Sequence, residues 1–124
     1  VVVLSREGKD LAVWSGDLAR EGEHEMIGGG GCPVDVQVWK AGHHGSDTSG
    51  SPDWMDLLTP ELVLVSCGVG NGYSHPSHGP YVVRGDTLAV ARTDLDGSIF
   101  LEWDLGGDLT WRTMRTGSRK IGLP

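Results

Sequence analysis

The stretch Val34-Asp-Val-Gln-Val-Trp-Lys-Ala-Gly-His-His-Gly-Ser-Asp-Thr-Ser-Gly-Ser-Pro52 indicates how the chain alternates between strands, loops and helices. Valine alternates with polar residues over Val34–Trp39, a pattern typical of a strand with one buried face. The following loop, Lys40–Gly50, is small and polar. Ser51 and Pro52 are a typical helix start, because serine caps a first turn and proline fits the first helical position. We therefore predict a strand, a histidine-containing loop and a helix over Pro52–Leu58.

The same alternation continues on both sides of this stretch. A hairpin with glycine in its turn is predicted before it, followed by a helix weakened by Gly22 and stopped by Gly28–Gly31. After it, an apolar run predicts a strand buried on both faces. This order indicates a layered α/β domain in which polar loops follow strand ends. The first helix is predicted over Leu18–Ile27. The other predicted strands are Val1–Arg6, Leu11–Ser15, Glu61–Ser66, Leu88–Arg92, Ser98–Trp103 and Leu109–Arg115. Tyr81–Arg84 is predicted to be either helix or strand.

Composition limits what the chain can be. It has 124 residues and a formal net charge of −7, which excludes a second independent domain and disfavours a basic nucleic-acid-binding module. Glycine accounts for 20 residues, so many tight turns are expected. No apolar run approaches the length of a membrane helix, and we expect no membrane contact by this segment. Cys32 and Cys67 lack a CxxC partner and are expected to be buried free thiols.

Acidic and histidine side chains follow three consecutive predicted strands. Asp17 follows the first, His43 and His44 follow the second, and His75 follows the third. Adjacent strands lie about 4.8 Å apart, so these side chains are expected to meet at one sheet edge. Imidazole and carboxylate ligands suit Zn²⁺ or Mn²⁺, and a bridging carboxylate suits a two-metal centre. Each group alone is more often a turn or surface residue, whereas the groups taken together indicate a metal site.

Four segments carry a resemblance to a known family: Ser15-Gly-Asp-Leu18, Val38-Trp-Lys-Ala-Gly-His-His-Gly-Ser-Asp-Thr-Ser49, Val63-Leu-Val-Ser-Cys-Gly68 leading into Asn71-Gly-Tyr-Ser-His-Pro76, and Arg92-Thr-Asp-Leu-Asp-Gly-Ser-Ile99. Over roughly Val1 to Trp103 the chain resembles the C-terminal half of a metallo-β-lactamase-fold hydrolase domain of the ComEC type. That type forms the soluble domain of the DNA-uptake channel of bacterial competence and also occurs in stand-alone hydrolases, so the resemblance implies an association with competence and DNA uptake. The resemblance implies half of a four-layer αββα sandwich over residues 1–115, with 116–124 as a frayed tail.

The resemblance also implies roles for individual residues. Asp17 would bridge two divalent ions, zinc or manganese, in the complete domain, and His43 would ligate one of them. The catalytic residues would be His44, facing substrate or the ligand shell, His75, near the leaving group, and Ser46, a donor to an oxyanion. The substrate-binding residues would be Thr48, Tyr73 and His78.

The family's principal metal motif, His-x-His-x-Asp-His, appears nowhere in the sequence, and neither does the further histidine that normally precedes the Gly-Asp strand. The expected partner is therefore the missing N-terminal half, or a chain that supplies it. The expected function is part of a metal-dependent phosphodiesterase or nuclease acting on single-stranded DNA, inactive alone. Two alternatives stay open: a non-catalytic interaction module of the same fold, and a hydrolase of a non-nucleic phosphorylated substrate. The expected location is the outer face of the cytoplasmic membrane in a ComEC-type channel, or the cytoplasm for a stand-alone protein.

Overall fold

The computed structural model describes residues 1–77, 88–115 and, for the backbone alone, 119–121. Its described part contains eight strands and three helices, with one 3-10 turn at Gly42–Gly45. In chain order the elements are β1 Val2–Arg6, β2 Lys9–Trp14, α1 Arg20–Gly28, β3 Val38–Lys40, α2 Pro52–Leu58, β4 Leu62–Val65, β5 Ala89–Arg92, α3 Thr93–Asp96, β6 Ile99–Trp103, β7 Leu109–Thr113 and β8 Arg119–Ile121.

The first five strands form one sheet in chain order, and the last three form a second sheet. β1 pairs antiparallel with β2 as the predicted hairpin, whereas β2, β3, β4 and β5 run parallel. Trp14, Lys40 and Leu64 are register partners across β2, β3 and β4. Since parallel strands end at the same sheet edge, the loops after these strands are neighbours. We call this side the carboxyl edge.

Apolar residues cover both faces of the first sheet. One face packs against α1 and α2, and the other packs against the second sheet. β4 contributes to both, since Val63 and Val65 join the helix side while Leu62 and Leu64 join the sheet side. All four are buried, as the uninterrupted apolar run predicts. The result is an α/β domain with a mixed sheet; the completed four-layer sandwich stays a prediction.

One buried amide connects the two sheets. Gln37 is only 3% exposed. Its Nε2 donates to the Gly107 carbonyl oxygen at 3.1 Å, and its Oε1 accepts from the Trp103 indole at 2.7 Å. Both ends of the amide therefore have partners on the second sheet or its turn, which removes the penalty of burying a polar group.

The strand predicted over Val34–Trp39 is shorter in the structure and begins at Val38. Asp35 has a φ of +48°, which breaks extended backbone before the strand can form, and Val34 is exposed. Tertiary hydrogen bonds hold the segment instead: the Val36 N–H donates to Leu58 O, and the Gln37 N–H donates to Leu11 O. Val36 and Val38 are buried as the alternation predicts, but they join different clusters on opposite faces of the sheet. Gln37 and Trp39 are buried as well, so the prediction of a single buried face is wrong.

The predicted helix over Pro52–Leu58 is confirmed with both of its bounds. Ser51 is its N-cap, and its Oγ accepts from the Trp54 N–H at 3.3 Å. α1 begins two residues later than the prediction and ends at Gly28. The short helix α3 follows β5 directly, and its C-cap Gly97 has a φ of +74°.

The later parts of the chain are only partly described. The alternatives for Tyr81–Arg84 lie outside the described residues, as do 116–118 and 122–124 of the predicted tail. Residues 119–121 of that tail are strand β8, paired with β7. Within the described residues, no helix has the length and apolar character needed to cross a membrane.

Candidate functional site at the carboxyl edge

The turn after β3 directs its two histidines to different places. His43 and His44 both have positive φ, +45° and +56°, which is uncommon for residues other than glycine. Two consecutive left-handed residues turn the chain sharply and separate neighbouring side chains. The His43 N–H donates to Gly16 O at 2.9 Å, so the loop after β2 holds this turn in place. Such a strained backbone conformation is often associated with a functional site.

His44 faces Asp17. Its Nε2 lies 3.7 Å from Asp17 Oδ1, and both side chains are more than half exposed. Its Nδ1 lies 2.8 Å from the Ser66 carbonyl oxygen, which can only accept, so this nitrogen carries the proton. His44 therefore connects the loop after β2 to the end of β4 and places its Nε2 beside a carboxylate.

His43 lies with a hydroxyl pair and a second imidazole. Its Nδ1 is 3.3 Å from Thr48 Oγ1, which is in turn 3.0 Å from Ser46 Oγ. Its ring meets the His75 ring edge-on, with centroids 5.7 Å apart and an interplanar angle of 61°. Ser46 is buried, so Thr48 and His43 are the members of this group that face solvent more openly.

The loop after β4 presents an exposed aromatic ring. Tyr73 is 82% exposed and stacks on His75, with centroids 5.8 Å apart and an interplanar angle of 16°. Asn71 organises this loop, because its Oδ1 accepts from the His75 and Tyr73 N–H groups and its Nδ2 donates to Gly68 O and His75 O. The Ser77 N–H donates to Gly45 O at 2.9 Å, which ties the loop to the histidine turn.

α1 and the histidine loop are joined by several hydrogen bonds. The Arg20 N–H donates to Thr48 O at 2.8 Å, and its Nη2 donates to Asp47 O at 2.7 Å. Glu23 is fully buried, and its carboxylate accepts from the Gly50 and Ser51 N–H groups at 2.6 and 2.8 Å. A shallow cavity of about 440 Å³ lies along this junction. It is lined by Asp17, Ala19, Arg20, Glu21, His43, Asp47 and Thr48.

Lys40 adds a cation at the end of β3. It is two residues after the buried Val38 and so projects from the same face of the sheet, where it is half-buried. Burial lowers the pKa of its ammonium group, and the nearby Asp17 carboxylate opposes part of this shift.

Cys32 and Cys67 are free and half-buried rather than fully buried, and desolvation raises the pKa of both thiols.

The described residues do not by themselves fit a metal ion. A catalytic zinc ion takes three protein ligands. Within the described ranges, no group of three His, Cys, Asp or Glu side chains is placed to hold one. The pair that comes together is Asp17 with His44, whereas the resemblance favoured His43 as the ligand. The pair of zinc or manganese ions expected for a complete domain stays a prediction.

Most of the predicted site residues lie at one edge, in two groups. Asp17 meets His44, while Ser46 and Thr48 accompany His43, His75 and Tyr73. His78 lies outside the described residues. The sequence reasoning missed Arg20, Glu23 and Asn71. A helical-wheel argument was available for Glu23, which lies four residues before Ile27 on the apolar side of α1.

In sequence, the chain is similar to part of two competence proteins. It is 36% identical over 94 residues to competence protein ComA of Neisseria gonorrhoeae, an alignment that covers 75% of this chain. It is 31% identical over 107 residues to ComE operon protein 3 of Bacillus subtilis strain 168, covering 77% of this chain. The matched part spans only 14% of either relative. No protein-family model matches the chain, and no solved structure matches it significantly.

These findings correct the family predicted from the sequence motifs. The two relatives carry the names of competence proteins rather than of metallo-β-lactamase-fold hydrolases, and no hydrolase family model matches. The predicted metal-dependent phosphodiesterase function and the assignment as an enzyme are corrected with it, since neither relative's name describes a hydrolase. The predicted association with competence is confirmed at the level of these names: the chain is similar to part of two competence proteins.

Proposed function

We propose that this chain is a DNA-contacting segment of a competence protein, with single-stranded DNA lying along the carboxyl edge during uptake. The similarity to two competence proteins supports the role in competence. The observation that carries the DNA contact is the convergence of three strand-end loops on one edge, where imidazoles, a hydroxyl, an ammonium group and an exposed aromatic ring lie together.

The groups at this edge match the chemistry of a nucleic-acid strand. Phosphate oxygens accept hydrogen bonds, and Lys40 and Thr48 are donors that suit them. His43 and His44 add ring nitrogens at the same edge, and Tyr73 adds a flat apolar surface. Backbone contacts position a strand, while ring contacts engage bases, so both kinds of contact are available within neighbouring loops.

The overall charge of the chain limits the affinity. A net charge of −7 repels a polyanion, so binding depends on local groups rather than on the field of the whole surface. We therefore expect weak binding with a shallow salt dependence, because few phosphates are neutralised. Lys40 lies at the end of β3, and the nearby Asp17 carboxylate partly offsets its charge.

The test is a fluorescence-anisotropy titration of a labelled single-stranded oligonucleotide with the full chain and two lysine variants. Lys40→Gln removes the cation at the carboxyl edge. Lys9→Gln is the matched control: it makes the same change in net charge at the start of β2, on the opposite edge of the sheet. We expect Lys40→Gln to weaken binding by about tenfold at about 50 mM salt and to reduce the salt slope by about 1.

Lys9→Gln is expected to leave the affinity for the oligonucleotide and the salt slope close to the wild-type values. Equal weakening by the two variants would show that net charge, and not the carboxyl edge, governs binding. Absence of binding by the wild-type chain at millimolar concentration would refute the proposed function.

A further inference from the structure

We propose that Tyr73 and His75 form a stacking platform for one unpaired nucleobase, which makes the carboxyl edge selective for bases that are not in a duplex. This inference deepens the proposed function and rests on it. A solvent-exposed tyrosine is unremarkable in isolation. What distinguishes Tyr73 is that its ring lies nearly parallel to the His75 ring, with centroids 5.8 Å apart, while its side chain stays 82% exposed.

The platform has three rings in series. His43 meets His75 edge-on at 5.7 Å, and His75 stacks under Tyr73 at 5.8 Å. Tyr73 is the exposed end of this series, and most of its ring surface is open to solvent. A nucleobase is flat and has a π-face whatever its identity, so it fits as the next layer of this series. The area of one tyrosine ring limits the contact to about one base.

The loop backbone is set in place before any ligand arrives. The Asn71 amide makes four hydrogen bonds to the loop, two as acceptor and two as donor, at 2.6 to 3.3 Å. These bonds fix the backbone of both Tyr73 and His75. Little conformational entropy is therefore lost at the backbone when a base stacks, and preorganisation of this kind increases affinity.

Neighbouring groups place the phosphodiester backbone beside the platform. The His43 ring meets the His75 ring, and the His43 Nδ1 lies 3.3 Å from Thr48 Oγ1. A strand whose base stacks on Tyr73 therefore has its backbone within reach of the hydroxyl and imidazole donors of the histidine loop. A duplex hides its base faces in its own stack, and only its phosphates can use the edge.

The experiment compares two single strands of equal length and charge, one carrying adenines and one carrying only abasic sites. We measure the affinity of each for the wild-type chain and for Tyr73→Ala and Tyr73→Phe. The wild-type chain and Tyr73→Phe are expected to bind the adenine strand at least about fivefold more tightly than the abasic strand, the lower limit for one stacked base. Tyr73→Ala is expected to bind the two strands equally.

A matched control is Leu105→Ala, which removes an equally exposed apolar side chain in the turn between β6 and β7 and should keep the fivefold ratio. A second readout is the NMR signal of the Tyr73 ring, which should move upfield with the adenine strand and not with the abasic strand. Circular dichroism checks that each variant is folded.

The possible failures are distinguishable. If the wild-type chain binds both strands with equal affinity, the platform is wrong while the DNA contact stands. The same holds if Tyr73→Ala keeps the preference for adenine. If neither strand binds, both the platform and the proposed function are wrong.

Discussion

Glu23 is expected to be the most important single polar residue for keeping the histidine loop in position. Its carboxylate is fully buried and accepts one hydrogen bond on each oxygen, from the Gly50 and Ser51 N–H groups at 2.6 and 2.8 Å. Glu23→Gln keeps the shape of the side chain but replaces one oxygen with an NH₂ group. One backbone N–H then faces a donor instead of an acceptor, and the other loses the strength that the charge gave its bond.

The expected loss in the free energy of unfolding follows from the changes at these two hydrogen bonds. A hydrogen bond to a charged group contributes about 1.5–3 kcal/mol, and a buried unsatisfied donor costs about 1–3 kcal/mol. Because burial of the carboxylate itself is unfavourable, the net effect is smaller than their sum, and we expect a loss of about 2–4 kcal/mol in the free energy of unfolding. That is a large share of the about 5–15 kcal/mol typical of a domain.

Urea denaturation followed by tryptophan fluorescence measures this loss, since Trp39 and Trp54 are both buried. Glu25→Gln is the control on the same helix, where the side chain is exposed, and should change the free energy of unfolding by less than about 0.5 kcal/mol. Hydrogen exchange adds a local readout: the Gly50 and Ser51 amides should lose protection in Glu23→Gln. Wild-type stability together with unchanged protection of these two amides would refute the reasoning.

Three further substitutions test other parts of the structure. Gly42→Ala should cost about 1–3 kcal/mol in urea denaturation, because a Cβ there would meet a backbone carbonyl oxygen at 2.7 Å, whereas Gly31→Ala meets nothing within 4 Å and should be tolerated. Ser51→Ala should cost about 1 kcal/mol by removing the cap of α2, and an unchanged value would show that the cap is dispensable. Hydrogen bonds from Arg92 hold the pKa of Asp94 below its ordinary value, so this pair stabilises the fold above about pH 4 and the contribution is lost as the pH falls through the lowered pKa. Asp94→Asn should therefore lower the melting temperature at pH 7 and approach the wild-type value in acid; a difference that persists in acid would contradict this assignment.

Local signals predicted the elements whose cause is local. The Ser51-Pro52 pair predicts where α2 starts because capping involves only residues within one turn. The run Leu62–Val65 predicts a fully buried strand because a strand covered on both faces has no polar positions. Neither prediction needs knowledge of the rest of the fold.

The path of residues 34–37 was not predictable in this way. Its alternation of valine with polar residues fits a strand, yet the positive φ of Asp35 and the bonds to Leu58 and Leu11 depend on residues distant in sequence. Periodicity indicates which side chains are apolar, and it cannot tell whether the backbone pairs with a neighbouring strand or with two separate loops.

The candidate site also combines features that the sequence predicts with features that it does not. Strand-end positions correctly predicted that the loops after β2, β3 and β4 would meet, because parallel neighbours share an edge. The direction of each imidazole depends on backbone angles that the residue types do not specify. The left-handed turn places His44 against Asp17 and His43 against His75, so the expected metal cluster separates into two groups.

The hydrogen bonds between Gln37 and the second sheet limit which substitutions this fold tolerates over evolutionary time. Apolar contacts between two sheets are non-directional, and residues of similar volume can replace one another with small losses. Gln37 is different, because its single amide meets one donor, the Trp103 indole, and one acceptor, the Gly107 carbonyl oxygen. Loss of either side chain alone would leave a buried polar atom without a partner, so these two positions must change together. A library that randomises the sheet interface should therefore keep Gln37 and Trp103 and vary the apolar residues around them.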